Sequence, residues 1–380
     1  MEYACMSFGT LGLSDILLQP LARLGYDTPT PVQTKAIPLV LRGGDLMARA
    51  QTGTGKTAAF GLPMIDRLLV LSRQPRAAGA PRGLVLVPTR ELAMQVHQSL
   101  MQYGASVQLQ CAVLIGGAPM GRQKDALRRG ADIVVATPGR LIDHMEQRTI
   151  TLGRVEVLTL DEADRMLDMG FLPALRRIIA ATPKSRQTLL FSATLPREVT
   201  QLAAQFSREA QQVDVSEGKG VATTVTHGVR SVDANGKAEA LTRMLREAPG
   251  DQVLVFCKTK RRSDRVGKQL TGAGIRTAVI HGNKSQNARN RALSDFKSGR
   301  VNVLVATDIA ARGLDIEQLP LVVNYDLPLV AEDYVHRVGR TGRAGRAGRA
   351  VSLVSAEDRG LLRAIQRLLP SPIQEERASA

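Results

Sequence analysis

The sequence predicts an α/β protein in which a mostly parallel sheet flanked by helices is built twice. Short apolar runs recur with helix-like segments between them. Their apolarity is continuous rather than alternating, which is typical of strands buried on both faces of a parallel sheet. The chain has 380 residues, more than one hydrophobic core usually accommodates, and this length favours two domains.

The predicted strands form two series separated by a polar segment. The first series comprises Leu84 to Val87, Ile133 to Ala136, Val155 to Leu160 and Thr188 to Phe191. The second comprises Val253 to Phe256, Thr277 to Ile280, Val301 to Ala306, Leu321 to Val323 and Val351 to Val354. The segment Asp214 to Thr224 lacks helical periodicity and is predicted to be a linker. The predicted domains are therefore residues 1–213 and 225–380.

Composition narrows the choice of partner. The 51 basic residues outweigh the 35 acidic ones, and the resulting charge of +16 favours an acidic polymer as partner. The alternative is a basic protein that is merely soluble and binds no nucleic acid. The chain has no Trp, which argues against base stacking on an aromatic platform and favours contacts to a sugar-phosphate backbone.

Composition also indicates the compartment. Cys5, Cys111 and Cys257 form no Cys-x-x-Cys pair, so neither a disulfide framework nor a zinc site is indicated, and a reducing cytoplasm fits. The chain lacks a basic leader and any run of about 18 apolar residues. It is predicted to be neither secreted nor membrane-spanning.

Polar residues follow nearly every predicted strand. Ligands of open α/β sheets bind beyond the carboxyl ends of the strands, so this pattern predicts a continuous site on one edge of each domain. The segments are Pro88-Thr89-Arg90, Thr137-Pro138-Gly139-Arg140, Asp161-Glu162-Ala163-Asp164, Ser192-Ala193-Thr194, His281-Gly282 and Thr307 to Asp315.

The segment Ala50 to Thr57 is a candidate phosphate-binding loop. Gly53 and Gly55 permit a turn that directs backbone N–H groups at phosphate oxygens, Lys56 reaches the β- and γ-phosphates, and Thr57 offers a hydroxyl to Mg²⁺. The strict pattern has Gly where Ala50 stands. The alternative is a glycine-rich helix start without a ligand.

The tetrad Asp161 to Asp164 ends a predicted buried strand. Charge in such a place is costly unless a cation or hydrogen-bond donors compensate it. This chemistry assigns Asp161 to the Mg²⁺ shell and Glu162 to positioning and activating the attacking water. An acidic helix start exposed to solvent is the alternative, because carboxylates are favoured at helix N-termini.

From about Phe8 to Val354 the chain resembles the DEAD-box ATP-dependent RNA helicases of superfamily 2, including their compact RhlE-like bacterial members. The resemblance rests on the phosphate loop, the acidic tetrad and the segment Gly25-Tyr26 with Pro29-Thr30-Pro31-Val32-Gln33. It implies two tandem RecA-like domains, ATP and Mg²⁺ as cofactors, and RNA as the partner of a monomer. This chain departs from the family at Asn283, where relatives commonly carry an acid.

The resemblance also implies the nucleotide contacts. Gln33 reads adenine, since an amide both donates and accepts hydrogen bonds, while Tyr26 and Phe8 pack near the base. Further nucleotide contacts implied are Thr52, Gly53, Thr54 and Gly55, together with Gly313 and Asp315 from the second domain. Ser192, Thr194 and His336 are implied to couple the domains, and an ordinary helix cap is the alternative for Ser192-Ala193-Thr194.

The segment His336 to Arg343 carries three arginines, Arg337, Arg340 and Arg343, at a spacing of three. They are not expected on a core-facing helix face, because unpaired guanidinium groups are almost never buried. A solvated basic loop or a simple RNA contact is one interpretation. By resemblance, Arg340 and Arg343 are arginine fingers on the γ-phosphate, so catalysis is expected to need closure of the two domains.

The residues implied to contact RNA are Pro88, Thr89, Arg90, Gly116, Gly117, Thr137, Pro138, Gly139, Arg140, Gly282, Gln286, Arg289, Thr307 and Arg312. Glycines let backbone amides approach phosphates and arginines neutralise them, which predicts sequence-independent and salt-sensitive binding. The expected activity is RNA-stimulated ATP hydrolysis with local unwinding of short RNA duplexes or remodelling of RNA–protein complexes. The alternatives are an ATP-gated RNA clamp or assembly factor without productive unwinding, and a DNA-directed helicase.

Overall fold

The computed structural model describes residues 7–50, 53–71, 75–215, 225–247, 250–311, 316, 319–342, 347–369 and 372–376, with backbone only at 71, 286, 309 and 332. The chain divides into two compact units, Met1–Glu217 and Gly218–Ala380. No helix in these ranges has the length and apolarity needed to cross a membrane.

The first unit contains a parallel sheet of seven described strands. They are β1 (Leu46–Arg49), β2 (Gly83–Leu86), β3 (Cys111–Leu114), β4 (Ile133–Ala136), β5 (Val157–Asp161), β6 (Gln187–Ser192) and β7 (Gln211–Asp214). Their order across the sheet is β3-β4-β2-β5-β6-β1-β7, and every neighbouring pair is parallel. The predicted α/β class with parallel sheets is confirmed.

Helices connect these strands and cover the sheet. They are α1 (Asp15–Arg23), α2 (Pro31–Leu41), α3 (Lys56–Ile65), α4 (Arg90–Tyr103), α5 (Met120–Arg128), α6 (Pro138–Glu146), α7 (Ala163–Asp168), α8 (Leu172–Ala180) and α9 (Arg197–Phe206). Local signals start several of them. Thr89 caps α4 by accepting the N–H of Leu92, and Pro31 and Pro138 stand in the first turns of α2 and α6.

The continuous apolar runs are buried on both faces of the first sheet. Along β2, Val85 packs into one hydrophobic layer while its neighbours Leu84 and Leu86 pack into the other, and all three have no exposed surface. Two apolar layers therefore cover the sheet, and the polar ends of the strands are left at its edges.

The second unit repeats this plan. Its strands are β8 (Val225–Ser231), β9 (Val253–Phe256), β10 (Thr277–Ile280), β11 (Val303–Ala306), β12 (Leu321–Asn324), β13 (Gly348–Val354) and β14 (Gln374–Glu375). The order β10-β11-β9-β12-β13-β8-β14 is that of the first sheet when each unit is counted from its own first strand. Its helices are α10 (Lys237–Glu247), α11 (Lys260–Gly272), α12 (Gln286–Lys297), α13 (Asp308–Ala311), α14 (Ala331–Val338) and α15 (Arg359–Leu368).

Candidate functional site

The phosphate loop lies between β1 and α3. Gly53 and Gly55 have φ angles of 81° and 89°, in the left-handed region that favours glycine, and Gly55 directly precedes the first turn of α3. A helix N-terminus preceded by such glycines directs backbone N–H groups at an anion. The described part of the predicted loop, residues 53–57, therefore has the turn that a phosphate-binding loop requires. Thr52 lies outside the described residues.

Gln33 holds this loop against α2. Its Oε1 accepts the N–H of Thr30 at 2.8 Å, and its Nε2 donates to the carbonyl of Gly55 at 3.1 Å. The hydroxyl of Thr30 donates to the carbonyl of Thr54 at 2.7 Å. An amide has two donors and two acceptor lone pairs, so Gln33 keeps capacity for a base after these contacts.

The aromatic residues predicted near the base form a cluster. Phe8 is buried and packs edge-to-face on Tyr26, with ring centroids 6.0 Å apart. Tyr103 of α4 also packs edge-to-face on Tyr26, and its hydroxyl lies 2.9 Å from that of Tyr26. Sequence reasoning missed Tyr103, which is far from the glutamine motif along the chain.

Lys56 and Asp161 meet at the carboxyl edge of the sheet. The Nζ of Lys56 lies 3.8 Å from Oδ1 of Asp161 and donates to the carbonyl of Ala50 at 3.2 Å. Burial raises the pKa of Asp161 to about 6, the nearby charge of Glu162 adds to the rise, and Lys56 opposes it. The site thus contains a buried carboxylate whose charge a further cation would stabilise.

Glu162 occupies an uncommon backbone conformation. Its φ is 55°, in the left-handed region, where a residue other than Gly, Asn or Asp is rare and is typically found at functional sites. Its Oε2 pairs with Nη1 of Arg165 at 3.1 Å, and both side chains are buried. Arg165 was not predicted from the sequence, although its spacing of three from Glu162 on a helix start was available as a signal.

Asp164 joins the acidic tetrad to the segment after β6. Its Oδ2 accepts the N–H of Thr194 at 2.9 Å and the hydroxyl of Thr194 at 2.8 Å, and its own N–H donates to the hydroxyl of Ser192 at 3.2 Å. Because β5 and β6 are neighbouring strands, Ser192 and Thr194 at the end of β6 lie next to the tetrad at the end of β5.

Three predicted RNA-binding segments of the first unit meet at one loop, Ile115 to Ala118, which follows β3. The guanidinium of Arg90 lies against Gly116 and Gly117, and Nη1 of Arg140 donates to the carbonyl of Ala118 at 3.0 Å. Gly117 has a φ of 76°. Gly139 is exposed next to Arg140, whereas Pro88, Thr89, Thr137 and Pro138 are buried.

The predicted RNA contacts of the second unit follow β10 and β11. Gly282 is exposed, and the Nζ of Lys260 lies close above it and donates to Oδ1 of Asn283 at 2.7 Å. Arg289 is half-buried on α12, and Thr307 is buried before α13. Arg312 and the side chain of Gln286 lie outside the described residues.

The expectation that the arginines of the segment His336 to Arg343 avoid the core is wrong for Arg337, which is 2% exposed. It pairs with both carboxylate oxygens of Asp308 at 2.5 and 2.7 Å and lies over the ring of Phe256. Burial is possible because the charge is paired, a condition that the sequence argument did not supply. Arg340 is also buried and His336 is half-buried, whereas Gly313, Asp315 and Arg343 lie outside the described residues.

The site defines the class of P-loop nucleotide-binding proteins. It combines a glycine-rich phosphate loop, a lysine and two adjacent carboxylates at the carboxyl edge of a parallel sheet. The repeat of the same strand order in a second unit narrows this class to proteins with tandem RecA-like domains.

Comparison with known proteins agrees with this class. Residues 30–202 match the DEAD/DEAH box helicase model, and residues 236–345 match the helicase conserved C-terminal domain. The chain is 42% identical to the ATP-dependent RNA helicase CshA of Limosilactobacillus reuteri over 96% of its own length and 72% of that protein. It is 41% identical to the ATP-dependent RNA helicase DeaD of Mycobacterium tuberculosis over 97% of its own length, but it spans only 64% of DeaD.

A solved structure is similar over nearly the whole chain. Dbp5 of S. cerevisiae bound to RNA and ADP BeF3 superposes with a TM-score of 0.87 at 30% identity, covering 98% of this chain and 96% of that one. The chain belongs to the DEAD-box family of ATP-dependent RNA helicases.

Proposed function

We propose that this chain hydrolyses ATP in an RNA-stimulated manner and uses the cycle to separate short RNA duplexes or to remodel RNA–protein complexes. One observation carries the proposal. The phosphate loop with Asp161 and Glu162, and the loop where Arg90 and Arg140 meet, lie at the same carboxyl edge of one parallel sheet. Relatives named as ATP-dependent RNA helicases, and Dbp5 bound to RNA and ADP BeF3, support the same assignment.

The proposed roles in the first unit follow from the contacts. The loop around Gly53 and Gly55 holds the phosphates, Lys56 contacts the β- and γ-phosphates, and Glu162 orients the attacking water. The ion pair with Arg165 keeps the carboxylate of Glu162 in a defined position. Phosphoryl transfer depends mainly on such placement and charge neutralisation.

Magnesium is the metal that the site fits. The hydroxyl of Thr57 and the carboxylate of Asp161 offer hard oxygen ligands, and Mg²⁺ is usually held by one or two protein groups together with substrate phosphates. When bound, the ion would supply neutralisation of phosphate charge. Burial and the charge of Glu162 raise the pKa of Asp161, and a bound cation would lower it again.

The second unit is proposed to complete the reaction. Arg340 and Arg343 act on the γ-phosphate, Gly313 and Asp315 contact the nucleotide, and His336 couples nucleotide binding to the interface between the domains. Gly282, Gln286, Arg289, Thr307 and Arg312 contribute RNA-backbone contacts. The proposed domains are residues 1–213 and 225–380 with a linker between them. Asp214, the first residue of that linker, ends β7, and residues 216–224 lie outside the described residues.

The test compares ATP hydrolysis by the wild type, Glu162→Gln and the matched control Glu146→Gln, each with and without single-stranded RNA. Glu146 is a surface carboxylate paired with Arg177. We expect RNA to stimulate the wild type and the control equally, and turnover of Glu162→Gln to fall by at least about 10²-fold with ATP binding retained. Undiminished turnover in Glu162→Gln would remove this residue from its role.

Strand displacement separates the alternatives. Displacement of a short RNA duplex, with little activity on the DNA duplex of the same sequence, supports the proposal. RNA-stimulated hydrolysis without displacement would identify an ATP-gated clamp, and equal displacement of DNA would identify a DNA-directed helicase.

A cytoplasmic monomer is proposed as the working form. The described cysteines, Cys111 and Cys257, are free thiols, as is typical of a reducing compartment. Cell fractionation and light scattering test the location and the monomeric state.

A further inference from the structure

The loop Ile115 to Ala118 contacts the side chains of Arg90 and Arg140 and so sets their positions. A Cβ built on Gly117 would lie 2.1 Å from Nη1 of Arg90, so the glycine allows the guanidinium to rest directly on the loop. The carbonyl of Ala118 accepts Nη1 of Arg140 at 3.0 Å. Displacement of this loop would therefore move both arginines.

One buried side chain closes the loop at both ends. Gln123 of α5 is 5% exposed, and its Oε1 accepts the N–H of Ile115 at 3.2 Å. Its Nε2 donates to the carbonyl of Ile115 at 3.0 Å and to that of Ala118 at 3.3 Å. A carboxamide supplies the acceptor and the two donors together, whereas an ionised carboxylate supplies only acceptors and an apolar side chain supplies neither.

A histidine orients this carboxamide. His144 of α6 has no exposed surface, and its Nε2 lies 3.3 Å from Oε1 of Gln123 while its Nδ1 lies 2.7 Å from the hydroxyl of Thr149. Because Oε1 of Gln123 can only accept, Nε2 of His144 carries a hydrogen. In the neutral ring Nδ1 is then an acceptor, so the single hydroxyl hydrogen of Thr149 is shared between Nδ1 and the carbonyl of His144, which lies 3.0 Å away.

The surroundings of His144 favour this neutral form. Burial is the main cause that lowers the pKa of His144. The positive charges of Arg140 and Lys124 lower this pKa further, and the negative charge of Asp143 raises it. The polar chain Thr149, His144, Gln123 and the loop is thus held together without a buried charge.

We propose that Gln123 and His144 are positioning residues for RNA binding, which hold the loop Ile115 to Ala118 so that Arg90 and Arg140 face the RNA backbone. Both residues are buried and act through the loop rather than by touching RNA. The inference rests on the proposed function, since it assumes that these arginines and Gly117 contact RNA.

The main test measures the RNA concentration that gives half-maximal ATP hydrolysis. Gln123→Met keeps the length of the side chain but removes its hydrogen bonds, and we expect the half-maximal RNA concentration to rise about tenfold with KM for ATP unchanged. Gln123→Glu places a buried carboxylate against the carbonyls of Ile115 and Ala118 and should weaken RNA binding at least as much as Gln123→Met. His144→Leu should weaken RNA binding, and His144→Gln, which restores an N–H donor, should recover most of it.

Gln187 provides a matched control. It is equally buried and donates to the carbonyls of Val40 and Gly44 at 2.9 and 2.6 Å, but it begins β6 at the opposite edge of the sheet. Gln187→Met loses comparable hydrogen bonds, so it should lower stability while leaving the half-maximal RNA concentration unchanged.

Amide hydrogen exchange without RNA gives a readout that does not depend on the proposed function. The N–H of Ile115 should exchange faster in Gln123→Met, or in Gln123→Glu if the former does not fold, and not in Gln187→Met. A wild type that RNA does not stimulate overturns the proposed function and this inference together. The other outcome is that RNA stimulates the wild type while the Gln123 variants show the same half-maximal RNA concentration and the same amide exchange at Ile115 as the wild type. That result overturns the positioning role of Gln123 and His144 but not the proposed function.

Discussion

Replacement of Arg337 by Met should destabilise the second unit strongly. The guanidinium is 2% exposed and donates to Asp308 at 2.5 and 2.7 Å, to Oδ1 of Asn324 at 2.9 Å and to the carbonyl of Asp326 at 2.6 Å. Removing it leaves these acceptors without that donor, and Asp308 keeps a charge that its surroundings no longer compensate.

The size of the effect follows from the burial of the partners. Removal of one member of a buried ion pair typically costs about 3–5 kcal/mol. The side chain of Asp308 is 22% exposed, so water partly compensates its charge and we expect the lower end, about 3 kcal/mol. Adding Asp308→Asn removes the stranded charge and should recover about 1 kcal/mol or more.

Urea unfolding followed by circular dichroism measures the loss, because the chain has no Trp for fluorescence. Amide exchange in β9 and β12 assigns the loss to the second unit. The control is Arg243→Met, whose pair with Glu239 is exposed and should be worth less than about 0.5 kcal/mol. If the cost of Arg337→Met is no larger than that of the control, the buried network does not stabilise this unit.

Three further outcomes are expected. Below pH 6.5 the wild type should lose stability relative to His144→Gln, as measured by urea unfolding at each pH. Burial lowers the pKa of His144 in the folded state, so the unfolded chain takes up the proton at a higher pH and is favoured as the pH falls. Parallel curves of stability against pH for the two proteins would contradict this. Gly117→Ala should weaken RNA binding through its φ of 76°, whereas the control Gly121→Ala, in open space on α5, should not. Gln33→Ala should raise KM for ATP and reduce ATP-over-GTP preference, and unchanged nucleotide titrations would exclude that role.

The sequence predicted the central strands better than the strands at and near the sheet edges. Runs such as Ile133 to Ala136 are continuous and apolar, and they form strands because both faces of a central parallel strand are buried. The strand β7 was missed, since only Val213 of its four residues is buried. The strand β1 was also missed, because Leu46–Arg49 has none of the β-branched residues of Ile133–Ala136 and ends in a charge.

The same division holds for the candidate site. The phosphate loop and the acidic tetrad were predicted because their chemistry depends on spacing within a few residues, and the structure gives the loop its left-handed glycines. The roles assigned to individual residues stay predictions. The sequence alone did not predict the ion pair of Glu162 with Arg165 or the burial of Arg337. Both depend on which charged side chains the fold brings into contact.

The sequence by itself determined the fold class, the family resemblance and the chemistry of each local motif, because these depend on residue type and short-range spacing. Only the tertiary structure decided which motifs meet. In the strand order β3-β4-β2-β5-β6-β1-β7, β5 and β6 are neighbours, so the tetrad after β5 lies beside Ser192 and Thr194. The same order brings Arg90 after β2 and Arg140 after β4 to the loop that follows β3. Gln123 and His144 were not predicted because their partners are set by this packing, which joins residues distant along the chain.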